Sequence, residues 1–266
     1  MTAYRYPYES LILWLTIGLV LAIIAFTAAA TVCLSVVFVI AVLLLSFFAS
    51  QRHHRVLIER AMPVTPSTLP GLAHIIAQAR QRLRVEPVNA FIVPSRTLNA
   101  YTFGLSSPKA LVLYDALLKV MDRDELQFVI GHELGHVALG HTWLNSLVGG
   151  MAGIPAPYSA SYLLILALRW WNRACEFSAD RAGLLACGKP SKALSALVKL
   201  EAGAAGASPE AFQRALQRIE AQDDDLLSNL GELLATHPLI VKRMEQLKQY
   251  AQSPDYRRLI AQLQDN

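Results

Sequence analysis

Cysteine and concentrated charge are both scarce in this sequence, and their scarcity argues against two classes of protein. The 266 residues contain only three cysteines, too few for the disulfide framework of a small secreted domain. Exposure of the main domain to the cytosol fits this count. The formal net charge is +4, and Lys and Arg are scattered along the chain, so a nucleic-acid partner is not expected.

Charged residues are entirely missing between Ser10 and Ser50. This run of roughly forty residues is twice the ~20 that one helix needs to cross the hydrocarbon core of a bilayer. Together with an apolar fraction of 54%, it predicts a membrane protein in which residues 1–50 form the anchor. We expect a transmembrane hairpin with helices at about 10–29 and 31–50, with one long tilted helix as the alternative.

Positive charge flanks this apolar run on both sides, with Arg5 before it and Arg52 and Arg55 after it. Because Lys and Arg beside membrane segments normally stay in the cytoplasm, both ends of the hairpin are expected there. The domain that follows, residues 51–266, would then face the cytoplasm.

The domain after the anchor shows mostly helical periodicity. Apolar residues at helical spacing predict a helix from Pro70 to Leu83, and short β-rich segments separated by turn-forming residues follow it. The predicted fold class is mainly α with a small antiparallel β-sheet (α+β). Strands are expected near residues 88–93, 100–105 and 110–113, and later helices near 159–186, 191–203, 209–220 and 238–250, with a short one at the C-terminus.

The segment His132-Glu133-Leu134-Gly135-His136 carries the strongest chemical signal. Asp122 and Glu125 form a capping-box pattern ahead of it, so the segment is expected on a helix. Two histidines four positions apart then share one helix face, at a separation that suits one tetrahedral zinc ion. Glu133 between them can take a proton from a water whose acidity the metal has raised, and later deliver that proton to a leaving amine.

A catalytic zinc site usually has three protein ligands, so a third is needed. Glu176 and Asp180 lie four apart on a predicted helix, which lets Glu176 bind the metal while Asp180 orients a ligand histidine through its other ring nitrogen. The alternative is a solvated helix face paired with Arg173 or Arg181. His141 is interpreted as a surface or helix-end histidine, and Cys175, beside Glu176, as a small buried side chain rather than a ligand.

Over residues 55–250 the chain resembles the membrane-anchored gluzincins, which include HtpX-like quality-control proteases and the CAAX prenyl proteases. The resemblance implies a gluzincin metallopeptidase domain behind the N-terminal hairpin, with one Zn²⁺ per chain. It rests on four segments in family order, namely Asn99-Ala100-Tyr101-Thr102-Phe103-Gly104, Gly131-His132-Glu133-Leu134-Gly135-His136, Glu176-Phe177-Ser178-Ala179-Asp180-Arg181, and Thr236-His237-Pro238 followed by Arg243.

The same resemblance assigns roles to four further residues. It implies that the strand after Asn99 and Ala100 borders the cleft, where an extended peptide substrate adds as an extra strand. It also implies that His237 stabilises the oxyanion and that Arg243 supports this region. Thr236-His237-Pro238 is alternatively a capped helix start with proline in its first turn.

The chain departs from the HtpX-like pattern between the zinc helix and the third ligand, where those members carry a second pair of membrane spans. Residues 143–168 are uncharged but interrupted by glycine and proline, and are too short for two crossings. We expect an apolar flap or interfacial helix there, with a buried helix at 161–171 as the alternative.

Together these features predict a membrane-bound zinc endopeptidase that hydrolyses unfolded or membrane-associated proteins at the cytoplasmic face of a prokaryotic plasma membrane. One alternative is a catalytically silent, zinc-containing adaptor that binds peptides, against which the intact Glu133 argues. Another is prenyl-protein processing, for which the chain lacks enough apolar sequence to enclose a chamber.

Overall fold

The structure, a computed structural model, describes residues 3–30, 34–148, 162–202 and 240–264. These residues form a predominantly helical protein with one four-stranded sheet, as the sequence predicts in outline. The helices are α1 (Glu9–Ala30), α2 (Leu34–Glu59), α3 (Pro70–Leu83), α4 (Asp115–Val120), α5 (Arg123–Ala138), α6 (His141–Val148), α7 (Tyr162–Cys187), α8 (Pro190–Ala202), α9 (Ile240–Gln252) and α10 (Pro254–Gln264), and the strands are β1 (Met62–Pro63), β2 (Val88–Val93), β3 (Ala100–Phe103) and β4 (Lys109–Tyr114).

Helices α1 and α2 cover most of the charge-free N-terminal run and contact each other. Both present large apolar side chains to the outside: Trp14 is 68% exposed, Phe26 78%, Leu45 73% and Phe48 65%. By length and hydropathy, no helix within the described residues qualifies as a membrane-spanning segment.

The sheet is mixed, so the prediction of a purely antiparallel sheet is wrong. Its strand order is β1-β2-β4-β3, with β2 parallel to β4 and β3 antiparallel to β4. The chain leaves β2, passes to the far side of the sheet to form β3, and returns as β4 between the two. Leu111, Val112 and Leu113 of β4 are fully buried, as expected of a central strand covered on both faces.

Helix α5 is the central element of the domain. The predicted capping box is present: the Asp122 carboxylate accepts hydrogen bonds from the backbone N–H groups of Asp124 and Glu125, and Glu125 accepts from the Asp122 N–H. From Glu125 to Gly135 every residue of the helix is buried. A helix covered on all sides holds its side chains in fixed positions, because packed interiors leave few voids.

Two glycines let α5 approach α7 unusually closely. A β-carbon on Gly131 would lie 2.3 Å from the Ala186 Cβ, and one on Gly135 would lie 2.6 Å from the Ala182 Cβ. Contacts this short cannot exist between real methyl groups, so the crossing requires glycine at both positions. The crossing brings the C-terminal half of α7 against the helix that carries His132.

Several predicted segments lie partly or wholly outside the described residues. Of the expected flap, α6 and the start of α7 are described, and residues 149–161 are not. The expected helix at 209–220 and the segment around His237 also fall outside. The helix expected at 238–250 corresponds to α9, and α10 is the short C-terminal helix.

Candidate active site

Three side chains converge where α5 meets α7. The Nε2 atoms of His132 and His136 are 3.3 Å apart, and the Glu176 carboxylate oxygens lie 3.6 Å from His132 Nε2 and 3.4 Å from His136 Nε2. Zinc bound at about 2.0–2.1 Å by tetrahedral ligands separates those ligands by roughly 3.3–3.5 Å. The two imidazole nitrogens and the Glu176 carboxylate, whose Oε2 faces His132 and whose Oε1 faces His136, therefore lie at distances close to those between ligands of one zinc ion.

The local sequence explains this convergence. His132 and His136 are one helical turn apart, so both side chains leave α5 on the same face. Glu176 lies near the middle of α7, one turn before Ala179, whose backbone lies against Gly135 of α5. Each of the three side chains is only slightly exposed, between 11% and 13%.

The other ring nitrogen of His132 faces a buried ion pair. Its Nδ1 lies 3.0 Å from Asp180 Oδ1. Arg243 donates to both oxygens of Asp180, at 2.8 and 2.6 Å, and also lies 3.2 Å from Glu176 Oε2. Burial by itself would raise the pKa of Asp180, but the Arg243 guanidinium and the hydrogen bond to His132 hold it below its usual value.

His136 has a different partner on its far side. Its Nδ1 lies 2.9 Å from His141 Nδ1, and His141 Nε2 lies 3.0 Å from Glu9 Oε1. His141 is the first residue of α6 and is only 1% exposed. The expectation of a helix-end residue therefore holds, whereas that of a surface histidine is wrong. Burial lowers the pKa of the His141 imidazole to about 4, despite its hydrogen bond to Glu9.

Sequence reasoning missed Glu9 altogether. The residue is fully buried and bonded to Arg5, Ser178 and His141. Its only sequence signal is position, as the single acidic residue directly before the charge-free run. Cys175 lies near the same carboxylate and is 1% exposed, and burial raises the pKa of its thiol well above the usual value.

The remaining predicted site residues lie around this centre. Glu133 is 7% exposed and follows His132 on α5. Ala100 begins β3, the edge strand of the sheet, and the carbonyl of Asn99 just before it accepts a hydrogen bond from the Tyr114 N–H at 3.0 Å. Strand β3 contacts both α5 and α6, so this edge strand of the sheet lies beside the helix that carries the histidines.

Comparison with known proteins places these residues in a family context. A model of peptidase family M48 matches residues 71–251. The plastoglobule-localized metallopeptidase 48 of Arabidopsis thaliana is 30% identical over 211 residues, which are 74% of this chain and 61% of that protein. A protease HtpX homolog of Trichormus variabilis is 27% identical over 247 residues, 77% of this chain and 81% of that protein.

A solved structure shows a more distant likeness. Ste24p of S. mikatae aligns with a TM-score of 0.46 at 18% identity, covering 91% of this chain and 63% of that one. The chain thus spans less than two thirds of the Arabidopsis metallopeptidase and of Ste24p.

Proposed function

This chain belongs to peptidase family M48, and on that premise we propose that it is a zinc-dependent endopeptidase acting on unfolded or membrane-associated polypeptides. The observation that carries the proposal is the convergence of three side chains: the Nε2 atoms of His132 and His136 lie 3.3 Å apart, and the Glu176 carboxylate lies between them, with Oε2 at 3.6 Å from His132 Nε2 and Oε1 at 3.4 Å from His136 Nε2. Two imidazole nitrogens and one carboxylate oxygen form a donor set that suits zinc.

His132 and His136 would hold the ion through Nε2, and Glu176 through a carboxylate oxygen. When bound there, zinc lowers the pKa of a water molecule and polarises the carbonyl of the peptide bond. Arg243 lies 3.2 Å from Glu176 Oε2 and is also paired with Asp180, so its charge offsets part of the negative charge of these two carboxylates.

Glu133 performs the proton transfers. It accepts a proton from the attacking water as the new carbon–oxygen bond forms, and it delivers that proton to the amine as the carbon–nitrogen bond breaks. Asp180 holds His132 in the tautomer whose Nε2 is free to bind metal. Arg243 fixes Asp180 with two hydrogen bonds.

The open edge of β3 gives the substrate its orientation. An extended peptide that pairs with this edge, beginning at Asn99 and Ala100, would run alongside α5. Strand pairing binds the substrate through hydrogen bonds to its main chain, which every peptide sequence offers, so it suits an enzyme that cleaves many unfolded sequences. In this proposal His237 stabilises the oxyanion, a role carried over from the family pattern for a residue outside the described ranges.

The anchor belongs to the same proposal. Residues 1–50 form a membrane hairpin with helices at about 10–29 and 31–50, and residues 51–266 form the peptidase domain on the cytoplasmic side of a prokaryotic plasma membrane. The support is a charge-free run with positive flanks and large apolar side chains that face outward on α1 and α2.

The proposal is tested on protein purified in detergent, by measuring zinc content and cleavage of an unfolded protein such as casein. We expect about one zinc per chain and proteolysis in the wild type. Glu133→Gln should keep zinc and lose activity by about 10²–10⁴-fold, whereas Glu176→Ala should lose both. Zinc without cleavage in the wild type would instead favour a peptide-binding adaptor, and no zinc would overturn the assignment.

A further inference from the structure

We propose that Glu9, at the start of α1, is a positioning residue for the metal centre: through His141 it orients His136 and selects the tautomer of that ligand. The proposal rests on the zinc site described above. It gives the first turn of the N-terminal helix a part in metal binding, in addition to any role in anchoring.

The hydrogen-bond partners of His141 determine which of its nitrogen atoms carries the proton. A carboxylate only accepts hydrogen bonds, and a neutral imidazole carries one N–H. The 3.0 Å contact from His141 Nε2 to Glu9 therefore places the N–H of His141 on Nε2. His141 Nδ1 is left as an acceptor, and at 2.9 Å it receives the N–H of His136 Nδ1.

The consequence falls on the other nitrogen of His136. With its proton on Nδ1, the Nε2 lone pair is free to bind the metal. The reverse arrangement would direct an unprotonated His141 Nε2 at the carboxylate and would leave the proton on His136 Nε2, where it blocks the ligand position. The Glu9 carboxylate thus favours the metal-binding tautomer of a ligand two side chains away.

Glu9 is held firmly enough to do this. It is fully buried, and Arg5 and Ser178 bind its oxygens. The segment before α1 is fastened by further contacts: Arg5 donates to the Leu139 carbonyl at 3.0 Å, and the Tyr6 N–H donates to Ser178 Oγ at 2.8 Å. Leu139 caps α5 and Ser178 belongs to α7, so both zinc-site helices hold this segment.

The two ligand histidines are therefore supported by different means. His132 contacts the carboxylate of Asp180 directly, whereas His136 reaches the carboxylate of Glu9 through an intervening imidazole. In both cases the last group of the hydrogen-bonded series is a carboxylate that is paired with an arginine: Asp180 with Arg243, and Glu9 with Arg5.

A second metal ion is the competing explanation for this cluster, because ligand atoms of Glu9, His141 and Cys175 all lie within 4.8 Å of one another. Two observations favour the positioning role. The Glu9 carboxylate already has a cationic partner in Arg5, and both nitrogens of His141 have partners.

The test measures zinc affinity of the full chain in detergent by competition with a chelator, together with the visible absorption spectrum of the cobalt-substituted protein. Glu9→Gln keeps the size of the side chain but can donate to His141, so the tautomer preference is lost. We expect zinc to bind 10–100-fold more weakly and the cobalt spectrum to change.

Ile12→Ala is the matched control, because Ile12 packs α1 against Trp171 and Cys175 and its side chain has no polar atom that could join the hydrogen bonds of Glu9, His141 and His136. It should lower the melting temperature yet leave zinc affinity within about threefold of wild type. If both variants weaken zinc equally, Glu9 acts only by docking α1, and the positioning role is overturned.

A second pair of variants tests the same chain at His141. His141→Asn keeps an oxygen acceptor near the former Nδ1 and should retain zinc affinity better than His141→Leu, which has no acceptor. Equal affinities in the two variants contradict the proposal. Two zinc ions per wild-type chain, falling to one in Glu9→Gln, would instead establish a second metal site. Zinc and cleavage that are normal in wild type and unchanged in Glu9→Gln would refute this inference while leaving the peptidase assignment intact.

Discussion

Arg243 shows how much of the metal centre depends on a single side chain. It is 9% exposed and bound to both Asp180 and Glu176. Two buried carboxylates without a cation would cost several kcal/mol in desolvation and repulsion. Burial lowers the pKa of Arg243, but the two carboxylates outweigh it and raise that pKa above the ordinary value, so the residue is charged at any pH at which the protein works.

Replacing Arg243 with methionine should therefore destabilise the zinc-free protein by about 3–5 kcal/mol. Zinc should restore part of this loss, because the ion supplies positive charge beside Glu176. Thermal unfolding with and without zinc measures both effects. Lys248→Met, at an exposed position of the same helix, is the control and should leave the melting temperature unchanged both with and without zinc. An Arg243→Met variant as stable as this control would contradict the argument.

Among the residues of the site, local patterns could be predicted and distant partners could not. The helical spacing of the sequence predicts His132, Glu133 and His136 as one group. A second helical spacing predicts Glu176 together with Asp180. No local sequence pattern predicts Glu9 as a site residue, because its role depends on a contact with a residue 132 positions away. His141 was misjudged because helical geometry separates it from His136, whereas the chain turns at Gly140, which has a φ of +81°, and begins a new helix.

At the scale of elements, the crossing of α5 and α7 determines the shape of the site. Gly131 and Gly135 permit a contact that alanine would forbid. In the proposed zinc site, His132 and His136 belong to one of these helices and Glu176 to the other, so the helix separation sets the distance between the proposed ligand atoms.

Gly135→Ala should consequently destabilise the protein by about 1–3 kcal/mol through overpacking and weaken zinc binding as the helices part. Gly71→Ala is the matched control, since it adds the same methyl group to α3 with nothing within 4 Å, and should be neutral or stabilising by up to about 1 kcal/mol. Calorimetry and zinc titration of the two variants distinguish the outcomes. Normal zinc affinity in Gly135→Ala would show that the crossing is not what sets the ligand spacing.

The start of α5 gives a prediction for pH. Burial alone would raise the pKa of Glu125, but hydrogen bonds from Lys199, Ser195 and the Asp122 N–H lower it. A carboxylate with a depressed pKa in the folded state stabilises the protein above its unfolded pKa, near 4.5, and this contribution is lost as the pH falls through the folded pKa.

Glu125→Gln should therefore lower the free energy of unfolding by roughly 1–3 kcal/mol at pH 7, and the difference from wild type should shrink below about pH 4.5. Urea unfolding across this range measures it. A difference that is constant with pH would mean that the loss is one of packing rather than of charge.

The elements themselves were more predictable than their arrangement. Strands β2 to β4 lie where the β-rich segments predict them, and α3 spans the predicted Pro70–Leu83. The pairing was not predictable, because three short apolar strands joined by turns give no indication that β4 inserts between β2 and β3. The burial of β4 on both faces identifies it as the central strand, but this burial is known only from the structure and not from the sequence.

At the scale of the whole molecule, the outward apolar side chains of α1 and α2 set the expected behaviour of the protein in cells. In the proposed hairpin, the protein should stay in the membrane fraction during alkaline carbonate extraction. Leu45→Glu, at a side chain that is 73% exposed, should shift protein into the soluble fraction, because a charged residue in mid-bilayer costs about 2.5–3.5 kcal/mol.

Gln249→Glu, at an exposed position of α9, is the matched control and should remain in the membrane fraction. Complete extraction of the wild type by carbonate would rule out an inserted hairpin. Unchanged extraction of Leu45→Glu would show that Leu45 does not face lipid.

The buried contacts of Arg243 with Asp180 and Glu176 also have a consequence in time. A ribosome that adds about 5–20 residues per second completes both zinc histidines several seconds before it reaches Arg243. Until then the two carboxylates lack the cation that holds them in place. The proposed metal centre therefore cannot be completed until most of the chain has been synthesised.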